Sequence, residues 1–308
     1  TISFTFNLQR DGTGIANGVY PLIAFFPNWN TALPGAGGAF ESPPVASTIY
    51  IDNVYQGTFI PPPPPATETT WTGNGDTNTN WNTAANWSNG VPTANLEAII
   101  PNLTNDPIAS GTIAVSEMLI ESGASVTVNG AVTNTGTITI SSGASFIAQA
   151  SVSGTVNYKR NLSSSNWHYI SSPVIGQDVD DFVSASGLQT GGDDVSLCTF
   201  DTAANDWVFY QSSTASAAIL NEGQGYIVNL LGASGNLSFT GTMNVDNESI
   251  ALATTGEGYN LIGNPYTSFI DSNVMLTTSS GSLLSQTIWV WDQSTESYET
   301  KVSADNFQ

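Results

Sequence analysis

Residues 167–182 read WHYISSPVIGQDVDDF and residues 198–210 read CTFDTAANDWVFY; further on, residues 259–272 read YNLIGNPYTSFIDS and residues 289–299 read WVWDQSTESYE. The two pairs are the same text at one shift. Ile170 and Pro173 match Ile262 and Pro265, 92 positions on, and Phe200-Asp201 and Trp207 match Trp291-Asp292 and Tyr298, 91 positions on. A shift held across two separated motifs marks a duplicated unit. Within the first copy Trp167 and Tyr169 alternate with His168 and Ile170, so the pairs take opposite faces of a strand. Pro173 and Pro265 lack the donor a ladder needs and end these strands. The later motif, aromatic-Asp, five residues, aromatic, predicts a hairpin. Its Asp accepts the turn's backbone N–H groups, and its aromatics pair across the strands.

Upstream, Ser122-Gly-Ala-Ser125 returns as Ser142-Gly-Ala-Ser145, a period of 20 residues. Between and around these corners the apolar points Ile113, Val115, Leu119, Val126, Val128, Val132, Ile138, Ile140 and Phe146 fall in short alternating runs. Such a period suits a short parallel β-solenoid, each coil stacking on the last; an antiparallel sandwich is the alternative. A few coils leave two open ends to cover. One neighbour is the Trp-rich segment TWTGNGDTNTNWNTAANWSNGVP at residues 70–92, and the other is the duplicated module. Trp71, Trp81 and Trp87 thus admit two readings, a plug over the open end or aromatic faces for stacking on sugar rings.

Pro61 to Pro65 is an uninterrupted proline run, an extended semi-rigid spacer. Before it, residues 2–8, 20–26 and 48–54 read as strands around a Gly/Pro-rich loop, a sheet thin for a core of its own. The expected organisation is all-β: a partial β-sandwich at 1–60, a linker at 61–69, cap and solenoid at 70–160, and a duplicated β-sandwich at 161–308. The copies divide near residue 250, and the second stops about where a counterpart of Gly223–Val228 is due, as in a partial chain.

The closing strand Ile49-Tyr-Ile-Asp-Asn-Val54 resembles the last strand of carbohydrate-binding jelly rolls attached to secreted polysaccharide-degrading enzymes. That resemblance implies a structural calcium held in part by Asp52; the alternative is a strand end and turn. From TWTG onward, with SGASVTVNG and the paired SSPV and GNPY motifs, the chain resembles flavobacterial surface adhesins and cargo of the type IX secretion system of Bacteroidota. The resemblance implies export to the cell surface or medium. It also makes Asp201-Thr202-Ala203 a candidate O-glycosylation triplet at Thr202, with a plain turn as the alternative.

The 308 residues hold 4 basic and 25 acidic side chains, a net charge of −21, and residues 161–308 carry −15 of it. Such a surface repels nucleic acid and anionic lipid, and no apolar run of membrane-spanning length exists, so neither nucleic acid nor membrane insertion is expected. Asp178, Asp180 and Asp181, near Asp193 and Asp194, are candidate calcium ligands or solvated loop acids. Lys159 and Arg160 are expected to meet the acidic module that follows. Cys198 stands alone in an alternating run and reads as a buried, inert thiol. His168, the sole histidine, is matched by Asn260 in the second copy, so the position needs a polar group rather than an imidazole.

No catalytic constellation emerges: no nucleophile elbow, zinc set or paired-carboxylate strand motif is present. The expectation is a non-catalytic extracellular protein for adhesion or polysaccharide binding, with a surface glycan as partner and calcium as a structural ion. A filament subunit completed by strand addition from copies of itself, or an accessory region of a larger secreted glycoside hydrolase, are the alternatives.

Overall fold

The computed structural model describes residues 66–74, 79–213 and 218–302, together with the backbone of residues 29–30 and 39–40. The chain divides into two units, Thr1–Pro63 and Pro64–Gln308. In the first, β1 (Trp29–Asn30) pairs antiparallel with β2 (Ala39–Phe40). The strands expected at 2–8, 20–26 and 48–54, and Asp52 with them, lie outside the described residues.

In the second unit the solenoid forms as the period dictates. One wall stacks β3 (Glu68–Thr70), β4 (Glu97–Ile100), β7 (Met118–Ile120), β10 (Thr137–Ile140) and β12 (Thr155–Leu162) in parallel. A second wall stacks β5 (Ile108–Ala109), β8 (Ser125–Val128) and β11 (Ser145–Ala148). A third pairs β6 (Ile113–Val115) with β9 (Val132–Asn134). Ile100, Ile120 and Ile140 sit in register, as do Ser125 and Ser145, so one coil is 20 residues.

The repeated Ser-Gly-Ala corner is a turn with Gly in its third position. Ala124 N–H donates to Glu121 O at 3.0 Å and Ala144 N–H to Ser141 O at 2.9 Å, with Gly123 and Gly143 at φ of 81° and 78°. A type II turn requires that positive φ, which glycine adopts without steric cost. The period of two then sends Val126, Val128, Ile138, Ile140 and Phe146 into a buried interior. Leu119 is the exception: in β7 it is Met118 and Ile120 that point inward, because their register partners Ile138 and Ile140 do.

The solenoid does not end where a domain boundary was expected at residue 160. β12 pairs on one side with β10 in parallel and on the other with β21 (Gly235–Met243) antiparallel, from Val156 opposite Gly241 to Leu162 opposite Gly235. With β14 (Val174–Ile175) on the far edge of β21, one seven-stranded sheet runs from the Trp segment into the duplicated module. A ladder is continuous hydrogen bonding, so no linker separates the two.

The first copy builds a five-stranded sheet from β13 (His168–Ile170), β20 (Tyr226–Val228), β17 (Asp194–Asp201), β16 (Thr190–Gly191) and β18 (Asp206–Gln211). β15 (Gln177–Asp178) pairs with β19 (Ile219–Leu220). The helix α1 (Val179–Ser186) lays Phe182 on Phe239 of β21, ring centroids 4.8 Å apart. The second copy has α2 (Ser272–Thr278) and the hairpin of β22 (Thr287–Asp292) with β23 (Ser297–Val302). The two helices lie outside the strand-only expectation, yet they are short and fall at matching places in the two copies.

The likeness is strongest in the hairpins. Phe200 faces Trp207 and Trp291 faces Tyr298, with ring centroids 5.3 and 5.1 Å apart. Asp201 Oδ1 accepts from Ala203 and Ala204 N–H, and Asp292 Oδ1 from Ser294 N–H. The last loop residue is left-handed in both, Asn205 at φ 52° and Glu296 at φ 49°. Elsewhere the copies part. Residues 260–262, which match β13, form no strand of their own; Ile262 makes a single antiparallel bridge to Gln224 of the first copy, flanked by Gly225 N–H to Leu261 O at 3.1 Å and Gly263 N–H to Gly223 O at 2.8 Å.

Candidate functional site

The three tryptophans of the segment 70–92 are not a binding face. Trp71 and Trp81 are 1% exposed and Trp87 is buried with them. Their rings pack edge to face, Trp87 4.7 Å from Trp81 and 5.1 Å from Trp71. Each indole donor of Trp71 and Trp87 is used inside the protein, on Asn105 O and Trp81 O, both at 2.7 Å. The segment is a partial coil: β3 pairs with β4, and Trp81 N–H donates to Ile108 O of β5. The rings fill the first coil's interior, so the sugar-stacking role expected of Trp71, Trp81 and Trp87 is corrected to that of a plug. At the other end, Thr267 of the second copy accepts from Phe146 N–H at 3.1 Å and donates to Phe146 O at 2.8 Å, closing the edge of β11.

Thr202 is also corrected. It is 8% exposed, and its hydroxyl donates to Tyr259 O at 2.7 Å, so the triplet is an interior contact between the copies rather than an open acceptor for a glycan. Asp178 is the N-cap of α1, its Oδ1 accepting from Asp181 N–H at 3.0 Å; Asp180 and Asp181 are exposed in the first turn, where carboxylates favour the helix dipole. Among the described residues no three His, Cys, Asp or Glu side chains gather as an ion site. Arg160 donates to a carbonyl, Tyr169 O at 2.9 Å, rather than to an acid. That oxygen belongs to β13, the strand that follows β12 along the chain.

A group of open aromatic residues lies between the two hairpins. The alternation expected at 167–170 holds: His168 and Ile170 are buried, while Trp167 and Tyr169 face outward. There they meet aromatics of both copies. Tyr169 lies 6.2 Å from Trp207 of the first hairpin and 6.0 and 6.1 Å from Trp291 and Tyr298 of the second, and Trp167 lies 6.1 Å from Phe209. The Tyr169 and Tyr298 hydroxyls bond to each other, and Asn166 Nδ2 donates to Glu296 Oε1 at 3.0 Å, fixing the second hairpin to β13. Burial, then the bond to Tyr298, pushes the Tyr169 phenol upward, so it stays neutral at any physiological pH.

The result is a cleft of about 440 Å³ lined by Trp167, Tyr169, Asp206, Trp207, Phe209, Ile227 and Trp291. Phe209 is 45% and Trp167 37% exposed. Its walls are aromatic and its one acid, Asp206, accepts from Trp207 N–H. His168 points away from it, with Nε2 3.1 Å from Ser164 Oγ and 3.0 Å from Ser164 O. Flat, electron-rich faces of this kind suit C–H groups, planar rings or cations. The readable signal for the cleft is the aromatic pair in each hairpin together with Trp167 and Tyr169 on one strand face. What could not be read was that the copies set these three elements side by side.

A further polar depression of about 350 Å³ separates the copies, lined among others by Thr202, Glu222, Gln224 and Asn260. Asn260 uses its amide to hold the loop before it, accepting from Ala253 N–H and donating to Ala253 O and Gly258 O. Its matched residue, His168, likewise bonds a local loop, as expected of a polar group kept for the fold.

No curated protein and no solved structure matches this chain. A family model described as a domain of unknown function, DUF8693, matches residues 70–307, which takes in the Trp plug, the solenoid and both copies as one span. The chain belongs to that family.

Proposed function

We propose that this is a non-catalytic extracellular surface protein that binds polysaccharide, exported by type IX secretion, with the aromatic cleft between the two hairpins as its binding site. The observation that carries the reading is the open position of Trp167 and Phe209 beside Tyr169, Trp207 and Trp291. Exposed large aromatics cost free energy in water and persist where something covers them in use. The cleft's volume is within the usual range for ligand sites. The acidic module around it disfavours uronic or sulfated chains, so a neutral glycan is the expected ligand. The solenoid and its continuous sheet serve as a stiff support for the cleft.

The test is retention on a panel of insoluble and soluble neutral polysaccharides. Binding is expected for the intact chain and a loss of at least about tenfold, roughly 1.4 kcal/mol, for Trp167→Ala or Phe209→Ala. No retention on any glycan by the intact chain would remove the reading.

A further inference from the structure

The two hairpins share a turn but not the residue that closes it. Asp201 faces Asp206 across the first ladder, whereas Asp292 faces Ser297 across the second. In each, the first Asp serves the turn: Asp201 Oδ1 accepts from Ala203 and Ala204 N–H, and Asp292 Oδ1 from Ser294 N–H. The residue after the loop bonds differently. Asp206 Oδ1 accepts from Trp207 N–H at 2.8 Å, and the Ser297 hydroxyl bonds that of Thr295 at 2.9 Å. The second hairpin therefore forms the same turn with serine in this place, and the turn does not require a second acid. Like charges directly opposite each other weaken a strand pair. Asp206 thus stands where the fold has no use for its charge.

Its position supplies the use. Asp206 is the one acid lining the aromatic cleft, while Ser297 is not among the lining residues. The other walls are aromatic apart from Ile227, and no basic side chain lines the cleft to give the carboxylate an internal partner. Asp206 is itself exposed. Ligand sites of this kind pair apolar walls with a few polar groups that fix orientation. An ionised carboxylate only accepts hydrogen bonds and offers several positions for them, of which Trp207 N–H takes one. Hydroxyl groups that donate to such an oxygen form short, charge-assisted bonds.

We propose that Asp206 is the specificity-determining residue of the cleft, its carboxylate accepting hydrogens from free hydroxyl groups of a sugar ring stacked on the aromatic walls. The assignment rests on the glycan reading above and adds a chemical requirement to it. The sugar unit beside Asp206 must carry unsubstituted hydroxyls. An O-methylated unit has no hydrogen to donate and leaves the carboxylate unsatisfied, so it is rejected. A carboxyl or sulfate group at the same place is repelled.

The test compares the intact chain with Asp206→Ser, which places the second hairpin's residue in the first. The probes are neutral hexasaccharides of glucose, xylose and mannose, each free and fully O-methylated, with the thermal midpoint of both proteins recorded. The intact chain is expected to bind a free hexasaccharide and to bind its O-methylated form at least about tenfold more weakly. Asp206→Ser is expected to keep its midpoint, to lose about tenfold in affinity for the free sugar, and to lose most of the discrimination between the two forms. A purely structural role would lower affinity for both forms alike. Undiminished affinity and intact discrimination in Asp206→Ser would overturn the assignment while leaving the glycan reading in place. Absence of binding of every free hexasaccharide by the intact chain would remove both.

Discussion

Asp178 and Asp271, 93 positions apart, are equivalent helix caps. Each precedes a short helix and accepts backbone N–H groups of its first turn. Asp178 Oδ1 takes the N–H of Asp181 at 3.0 Å; Asp271 Oδ1 takes those of Asn273 and Val274 at 2.9 and 3.2 Å. The duplication therefore extends from the Pro motif through helix and hairpin. Asn caps a helix about as well as Asp, while Ala does not. Asp178→Asn and Asp271→Asn are expected to leave the unfolding midpoint nearly unchanged, and the Ala variants to cost about 1 kcal/mol each. If Asp178 instead served an ion, Asn would be as damaging as Ala, and a chelator would mimic it.

Trp81→Ala removes a ring that fills the solenoid's first coil. A loss of about 3–5 kcal/mol is expected for a buried Trp. Denaturant unfolding at constant m-value measures it. A variant of unchanged stability would contradict the plug.

Gly263 is held against Ser171, whose Cβ would lie 2.2 Å from an added Cβ, and the Ser171 hydroxyl donates to Asn264 O at 2.8 Å. Gly263→Ala is expected to force the copies apart at a cost of about 1–3 kcal/mol. The accompanying sign is faster amide exchange at Gly225 and Gly263, whose N–H groups bridge the copies.

Much of this was legible. The 20-residue period gave the coil, the Gly corner and the inward residues, since stacking in register leaves little freedom. At β7 the local string Met118-Leu119-Ile120 is apolar throughout and alternation alone cannot choose; only the partners at 138 and 140 decide. The hairpins were legible because Asp and the aromatics act within a few residues. The fate of Trp71, Trp81 and Trp87 turned on whether polar neighbours such as Asn86 are themselves buried, and Asn86 is, with its amide on Asn80 O. The shared sheet through β12 and the cleft depend on contacts between residues about 40 to 130 positions apart, which no local pattern announces.

Cys198 is buried in β17, and loss of hydration pushes its thiol up to about 12 from an ordinary 9.0. A folded-state value above the unfolded one stabilises the fold fully below the unfolded value and loses that contribution as pH rises through the folded one. Stability is thus expected to decline between about pH 9 and 12, with Tyr169 and Tyr226 shifted in the same direction. Equilibrium unfolding across that range checks the sign. Native protein at pH 8 is expected to resist thiol alkylation until denatured.

Glycan titration of Phe209→Ala beside the intact chain, each with its thermal midpoint recorded, probes the cleft most directly. Phe209 is half exposed, so the fold is expected to survive while affinity for a neutral polysaccharide falls at least about tenfold. Undiminished binding by Phe209→Ala and by Trp167→Ala, at unchanged midpoints, would place any binding surface elsewhere and contradict the cleft as the site.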